Sequence, residues 1–366
     1  MNYNVFKDFQ INLKKKSTTK TINNYQKKDV MQALFDSINT GLIVHSNYWG
    51  AELFASGFYL SLWDCFFKFY FKYIHCLNPL LIDYINQKYL LLNQIKKMYS
   101  GNLKNLCNNQ ELRNHIAEIM TIFCLSQKKE IKLPLSVNDL EITDRMIQKT
   151  DLIIQIVVPY LSTQSFVYAQ YRSFIISYYL GDLDNCLYYI DWFVKENEHT
   201  INPFVEFKIP SAISRKSMWL IWKFLFLQYQ KSSKTEKNCQ QILQLLEMLI
   251  SIYIIVYKRK DFETCSYILF FVTNLFKQPH NMNWDQSIDI TSPELIKQCA
   301  EINNIYKNLQ FSYEKIQTQN ETLNKNKKGR KNKKEKDKQR FYQNPKNLEY
   351  LKVLYDDQAL RPTIPK

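Results

Sequence analysis

Residues 46–81 read SNYWGAELFASGFYLSLWDCFFKFYFKYIHCLNPLL. Two tryptophans, a run of phenylalanines and tyrosines, one isolated acid at Glu52 and a closing Asn-Pro make this the densest stretch of the chain. Its apolar residues return at three- and four-residue spacing, the period of a helix that buries one face. On such a helix Trp49, Leu53, Ser56 and Gly57 share one side, while Phe66, Phe69, Tyr73 and Leu77 share a side of the next element. Each aromatic buried there contributes ~1.5–3 kcal/mol. The stretch is therefore read as helical core first, assembly surface second and active site last. Three readings of Glu52 are open: pairing with an arginine or histidine, capping, or facing water. A catalytic carboxylate would need a second group, and none is identifiable nearby.

The same reading extends outward. Only six glycines and ten prolines in 366 residues leave little material for the tight turns of a sheet-rich fold. Long helices with short connections follow, and the fold class is all-α: an irregular helical bundle or an α-solenoid-like array of helical hairpins. Residues 1–28 form a polar segment expected to be flexible, 29–315 the helical core with a sub-boundary near 126–140, 316–341 a basic disordered linker, and 342–366 a short docking segment. Two segments echo each other: GDLDNCLYYIDWF at 181–193 and KDFETCSYILFFV at 260–272 share an acid, a cysteine and a tyrosine at matching offsets. Stacked hairpins produce such echoes, and so does any hairpin that needs a break, a cap and a small contact residue. In each, the aspartate after the break suits a helix N-cap. No membrane span is expected, because charges recur through 63–82 and the apolar run 242–256 is short of about 20 residues.

Within the opening stretch, Gly41, Tyr48-Trp49, Leu53, Gly57, Ile74 and Pro79 stand in an order that resembles a known helical region. It is the one following the ATPase module in clamp-loader-like AAA+ proteins of the replication-associated recombination protein A (MgsA) group. That region runs from a small residue through a tyrosine-tryptophan pair, an aliphatic residue and a glycine to an ED-I-G-x-x-x-P segment. Here Lys72-Tyr73 replace the acidic pair and His75 replaces the glycine after the isoleucine. The likeness covers residues 36–81. None of the glycines at 41, 50, 57, 101, 181 and 329 begins the G-x-x-x-x-G-K-[ST] loop that an ATPase needs. The resemblance thus implies a collar-type assembly domain without its motor. Tyr48, Trp49, Glu52, Leu53, Gly57 and Trp63 would be its assembly and core motif, with self-association or docking on replication or repair machinery as its role.

Signals for chemistry are weak elsewhere. The eight cysteines form no C-x-x-C pair, the five histidines do not pair at i,i+3 or i,i+4, and no H-E-x-x-H occurs. No metal, cofactor or catalytic residue is assigned, and an enzyme is not expected. Cysteines scattered through apolar segments, with no signal peptide at the start, point to an intracellular setting, nucleus or cytoplasm. In RNHIAE, Arg113, His115 and Glu118 sit on neighbouring turns, where a helix-surface contact is the plainer reading.

The sharpest functional signal is NKNKKGRKNKKEKDKQR at 324–340, ten basic residues against Glu335 and Asp337. It holds no apolar residue, so burial cannot fold it. Lys327, Lys328, Arg330, Lys331, Lys333 and Lys334 suit phosphates, since each contact releases counterions from a nucleic acid. The same cluster suits nuclear targeting or simple solubility. Beyond it, residues 345–355 have the pattern of a short amphipathic helix, able to dock on its own core or on a partner. The expectation is a non-enzymatic scaffold in a nucleic-acid assembly, with protein partners or self-association. The alternative is a protein-binding helical adaptor or structural subunit whose tract is only an address.

Overall fold

The computed structural model describes residues 11, 19–137, 154, 165–196, 214–232, 239–279, 282–284 and 292–326. The basic tract from residue 327, the C-terminal segment and residues 138–153, 155–164 and 197–213 lie outside the described residues. The fold is all-α, and among the described residues no strand is present beyond one isolated bridge between Lys20 and Gln26.

In chain order the α-helices are α1 (Lys27–Asn39), α2 (Ile43–Ala55), α3 (Tyr59–Phe69), α4 (Leu81–Met98), α5 (Leu103–Cys107) and α6 (Gln110–Leu125). They continue as α7 (Ser165–Leu180), α8 (Leu183–Lys195), α9 (Trp219–Ser232), α10 (Cys239–Lys258), α11 (Phe262–Lys277) and α12 (Pro293–Asn326). After α3 the chain tightens through a π turn (Tyr70–Ile74) and a 3-10 turn (His75–Leu77). Two compact units emerge, each from non-contiguous segments. The first comprises Met1–Leu62, Ile95–Leu125 and Ile290–Lys366, the second Trp63–Gln94 and Ser126–Asp289.

In the first unit α2 is the hub, packed against α1, α6 and α12. The α2–α3 link shows why the sequence turns where it does. Gly57 takes φ +79°, Phe58 N–H reaches back to Leu53 carbonyl (2.9 Å) and Gly57 N–H to Phe54 carbonyl (2.9 Å). This pair of bonds closes a helix C-terminus only around a left-handed residue, which glycine adopts without a Cβ penalty.

In the second unit α11 is the hub, packed against α8, α9, α10 and the π turn, with every residue from Thr264 to Leu275 buried. Here the two echoing segments become two hairpins with the same turn. Gly181 at φ +80° precedes Asp182, whose carboxylate accepts the Asn185 N–H (3.0 Å). Lys260 at φ +61° precedes Asp261, whose carboxylate accepts the Thr264 N–H (3.2 Å). Both aspartates are N-caps. The lysine holds the left-handed position that a glycine holds in the other copy.

Candidate functional site

The aromatic stretch is core, as its spacing dictates. Leu53 and Trp63 are buried, and Trp63 meets the rings of Phe66 (5.3 Å) and Tyr89 (5.5 Å) edge-on. Gly57 is buried at the end of α2, and Tyr48 and Trp49 on α2 are half-buried. Trp49 lies edge-on to Tyr48 (4.9 Å) and to Tyr25 (5.7 Å).

Glu52 departs from all three sequence readings. It is fully buried, and its partners come from the polar segment ahead of α1. One carboxylate oxygen accepts the Asn23 backbone N–H (3.1 Å), the other the Asn23 side-chain amide (2.7 Å), and the Thr21 side chain also hydrogen-bonds to it. Ile22 N–H adds a bond to Ser56 Oγ (2.8 Å). Residues 19–26 are therefore an ordered clasp on α2, where composition predicted flexibility up to residue 28. The physical reason is that a buried carboxylate needs donors, and this turn supplies them. Burial holds the Glu52 carboxyl above its ordinary range, with the Thr21 and Asn23 bonds acting the other way. Burial also raises the Tyr48 phenol, as do the Glu52 charge and Tyr25.

Arg113 was legible only as part of a helix-surface triplet, yet it is fully buried in the first unit. Its guanidinium donates to Cys107 carbonyl (3.0 Å), Asn108 Oδ1 (2.7 Å) and Asn303 Oδ1 (3.2 Å), and lies 4.1 Å from the centre of the Tyr306 ring. It ties the α5–α6 turn to α12. Glu118 on α6 is also buried and His115 half-buried. The structure assembles neither of them with Glu52 into a common polar pocket among the described contacts.

The resemblance places His75 where the family has a glycine, and there the backbone has positive φ, +23° with ψ −102°. His75 Nε2 donates to Lys129 carbonyl (3.1 Å), while its Nδ1 is buried without a hydrogen-bond partner. Burial lowers the His75 pKa to about 4 and raises that of the neighbouring Cys76 thiol to about 12. Neither is a poised acid, base or nucleophile at neutral pH.

The second unit also carries a cleft of about 380 Å³ lined by Pro134, Leu135, Tyr188, Asp191, Trp192, Lys195 and Glu196. Its central acid is engaged: Asp191 accepts from Lys195 Nζ (2.5 Å) and from the Ser266 hydroxyl (2.9 Å). Glu263, nearby on α11, is held below its ordinary range by Lys68 and Tyr267 against the effect of burial. Among the described residues no group of three or more His, Cys, Asp or Glu could hold a metal ion, and no helix is long and apolar enough to cross a membrane. None of the seven cysteines whose side chains are described is in a disulfide.

The six cations assigned to phosphate contacts, Lys327, Lys328, Arg330, Lys331, Lys333 and Lys334, lie outside the described residues, immediately after α12. Comparison with protein-family models, curated proteins and solved structures gave no match.

Proposed function

We propose that this protein is a non-enzymatic scaffold that joins a nucleic-acid assembly, with its helical units contacting proteins and its basic tract contacting phosphates. The observation that carries the reading is the course of α12. This helix is anchored in the first unit by Leu295, Ile302, Tyr306 and Leu309, and it ends at Asn326, inside the opening of the tract. A run with ten cations against two acids is thereby attached to a rigid helix rather than to a loose terminus. Replication or repair is the preferred setting. What supports it is the positive φ at His75, which costs a glycine less than a side-chain residue, at the position where the clamp-loader-like pattern has glycine.

A salt series tests this. Full-length protein and a variant with the six cations changed to glutamine are titrated with single- and double-stranded DNA and RNA. Six phosphate contacts give a log–log salt slope of roughly −5 on duplex DNA, and the variant loses most of that slope. Salt-independent absence of binding in both proteins overturns the reading and leaves the protein-binding adaptor, with the tract as an address.

A further inference from the structure

Helix α12 carries a seam longer than the body it packs on. Leu295, Cys299, Ile302, Tyr306, Leu309 and Tyr313 follow one another in alternating steps of four and three, and all six are buried. That 3.5-residue period is the one by which a helix keeps a single face against a partner helix. Its course is antiparallel to α6. Near its start Gln298 shares Asn47 with Thr121, and further along Asn303 and Tyr306 meet Arg113. Because α6 begins at Gln110, α12 runs past that end soon after Gln310. The helix nevertheless continues to Asn326, a further 20 Å or so from Tyr313 at 1.5 Å per residue.

Along this overhang Glu314, Lys315, Thr318 and Gln319 are exposed and Ile316 and Gln317 are half-buried. The seam's register goes on through Ile316, Asn320 and Leu323 by the same steps of three and four. By the course of the backbone, two further turns of the seam's register thus lie beyond the start of α6.

We propose that residues 345–355 fold back as a helix along residues 313–326 of α12, closing the basic tract into a loop. Three observations select this occupant. The segment has Leu348, Leu351 and Tyr355 at steps of three and four, the same spacing as the seam. Eleven residues of helix span roughly 16 Å, close to the length of the overhang. The connection, residues 327–344, spans up to about 60 Å extended and about 24 Å as a random coil, enough to reverse direction while keeping the segment at roughly millimolar effective concentration. A second copy of α12 is the rival occupant. Pairing two of them would bring together two tracts of ten cations against two acids, and that repulsion works against it. The inference does not depend on whether the tract binds nucleic acid.

Hydrogen exchange of peptides covering 342–357 in the full-length protein tests it, alongside solution mass over about a hundredfold range of concentration. Amides of 348–355 are expected to exchange about tenfold more slowly than in the Leu351→Asp variant, at every concentration and at monomer mass. Ile316→Asp is expected to abolish the protection equally. Leu323→Asp, two turns further along the helix, probes the same register. Equal exchange in wild type and Leu351→Asp overturns the proposal. So does protection that grows with concentration at dimer mass, which assigns the seam to a second copy. Protection that survives both α12 substitutions also overturns it, by putting the segment elsewhere.

Discussion

The two hubs, α2 in the first unit and α11 in the second, bury comparable faces by different means. On α2 the buried polar groups reach far along the chain. Glu52 binds Asn23, Asn47 bridges Thr121 and Gln298, and Ser46 contacts Cys124 Sγ (3.2 Å). On α11 several buried polar groups turn to their own helix. Thr273 bonds Leu269 carbonyl (2.8 Å) and Asn274 bonds Phe270 carbonyl (2.9 Å), while around them Phe270, Phe271 and Leu275 pack by shape. Partners distant in sequence specify one arrangement, since any other leaves donors unpaired in low dielectric; self-satisfied groups permit burial but select nothing. Distant polar pairing thus runs along the centre of α2, whereas on α11 it falls in the first turns, where Ser266 meets Asp191 and Glu263 meets Lys68.

The sharpest way to break this contrast is at Glu52. Glu52→Ala leaves the Asn23 donors buried and unpaired, and a loss of roughly 2–4 kcal/mol is expected in denaturant unfolding. Exchange protection of residues 19–26 should vanish with it, while that of α11 is unchanged.

Acid acts with opposite signs on His75 and Glu52. The folded-state pKa of His75, about 4, lies below the 6.5 of a free histidine, so the unfolded chain binds the extra proton between those values. Stability from this group is intact above pH 6.5 and falls by on the order of 3 kcal/mol as pH drops to 4. Glu52 acts oppositely: its raised pKa makes the folded state the better proton binder, so its contribution improves as pH falls toward the ordinary carboxylate range. His45, lowered by burial in the first unit, works against Glu52 there. Unfolding measured at pH 7 and 4.5 should therefore show the acid-induced loss shrinking in His75→Gln.

A smaller effect tests the turns. Gly57→Ala forces a Cβ into φ +79° and within 2.5 Å of a Leu103 methyl, and should cost about 2 kcal/mol. The two echoing hairpins then give opposite signs in denaturant unfolding: Gly181→Ala destabilises and Lys260→Gly stabilises, each by about 1 kcal/mol. The least effect is expected at Thr273→Val, within about 1 kcal/mol, because the hydroxyl it removes bonds only a carbonyl of its own helix. A large loss there would erase the distinction between the hubs.

Much of this was legible locally. Apolar spacing marked the helices, and Asp182 and Asp261 read as caps because an N-cap is decided within four residues; Gly57, read on a helix face beside Trp49 and Leu53, instead closes the end of α2. The repeated turn was visible in the echo, although Lys260 concealed its left-handed backbone. Glu52 and Arg113 were seen as types without their circumstances. Their partners Asn23 and Asn303 lie 29 and 190 residues away, and no local pattern encodes such pairing. The overhang of α12 was equally hidden, because a seam of constant period carries no mark where its covering helices stop.

By itself, then, the sequence determined an all-α chain, the N-caps at Asp182 and Asp261 and the charge of its basic tract, all consequences of side-chain period, backbone preference and composition. Only the tertiary structure decided that residues 19–26 are a clasp, that Arg113 is a buried tie, and where α12 leaves its body. Those facts depend on which distant donors and apolar faces meet, and desolvation sets their energies only once the chain has closed around them.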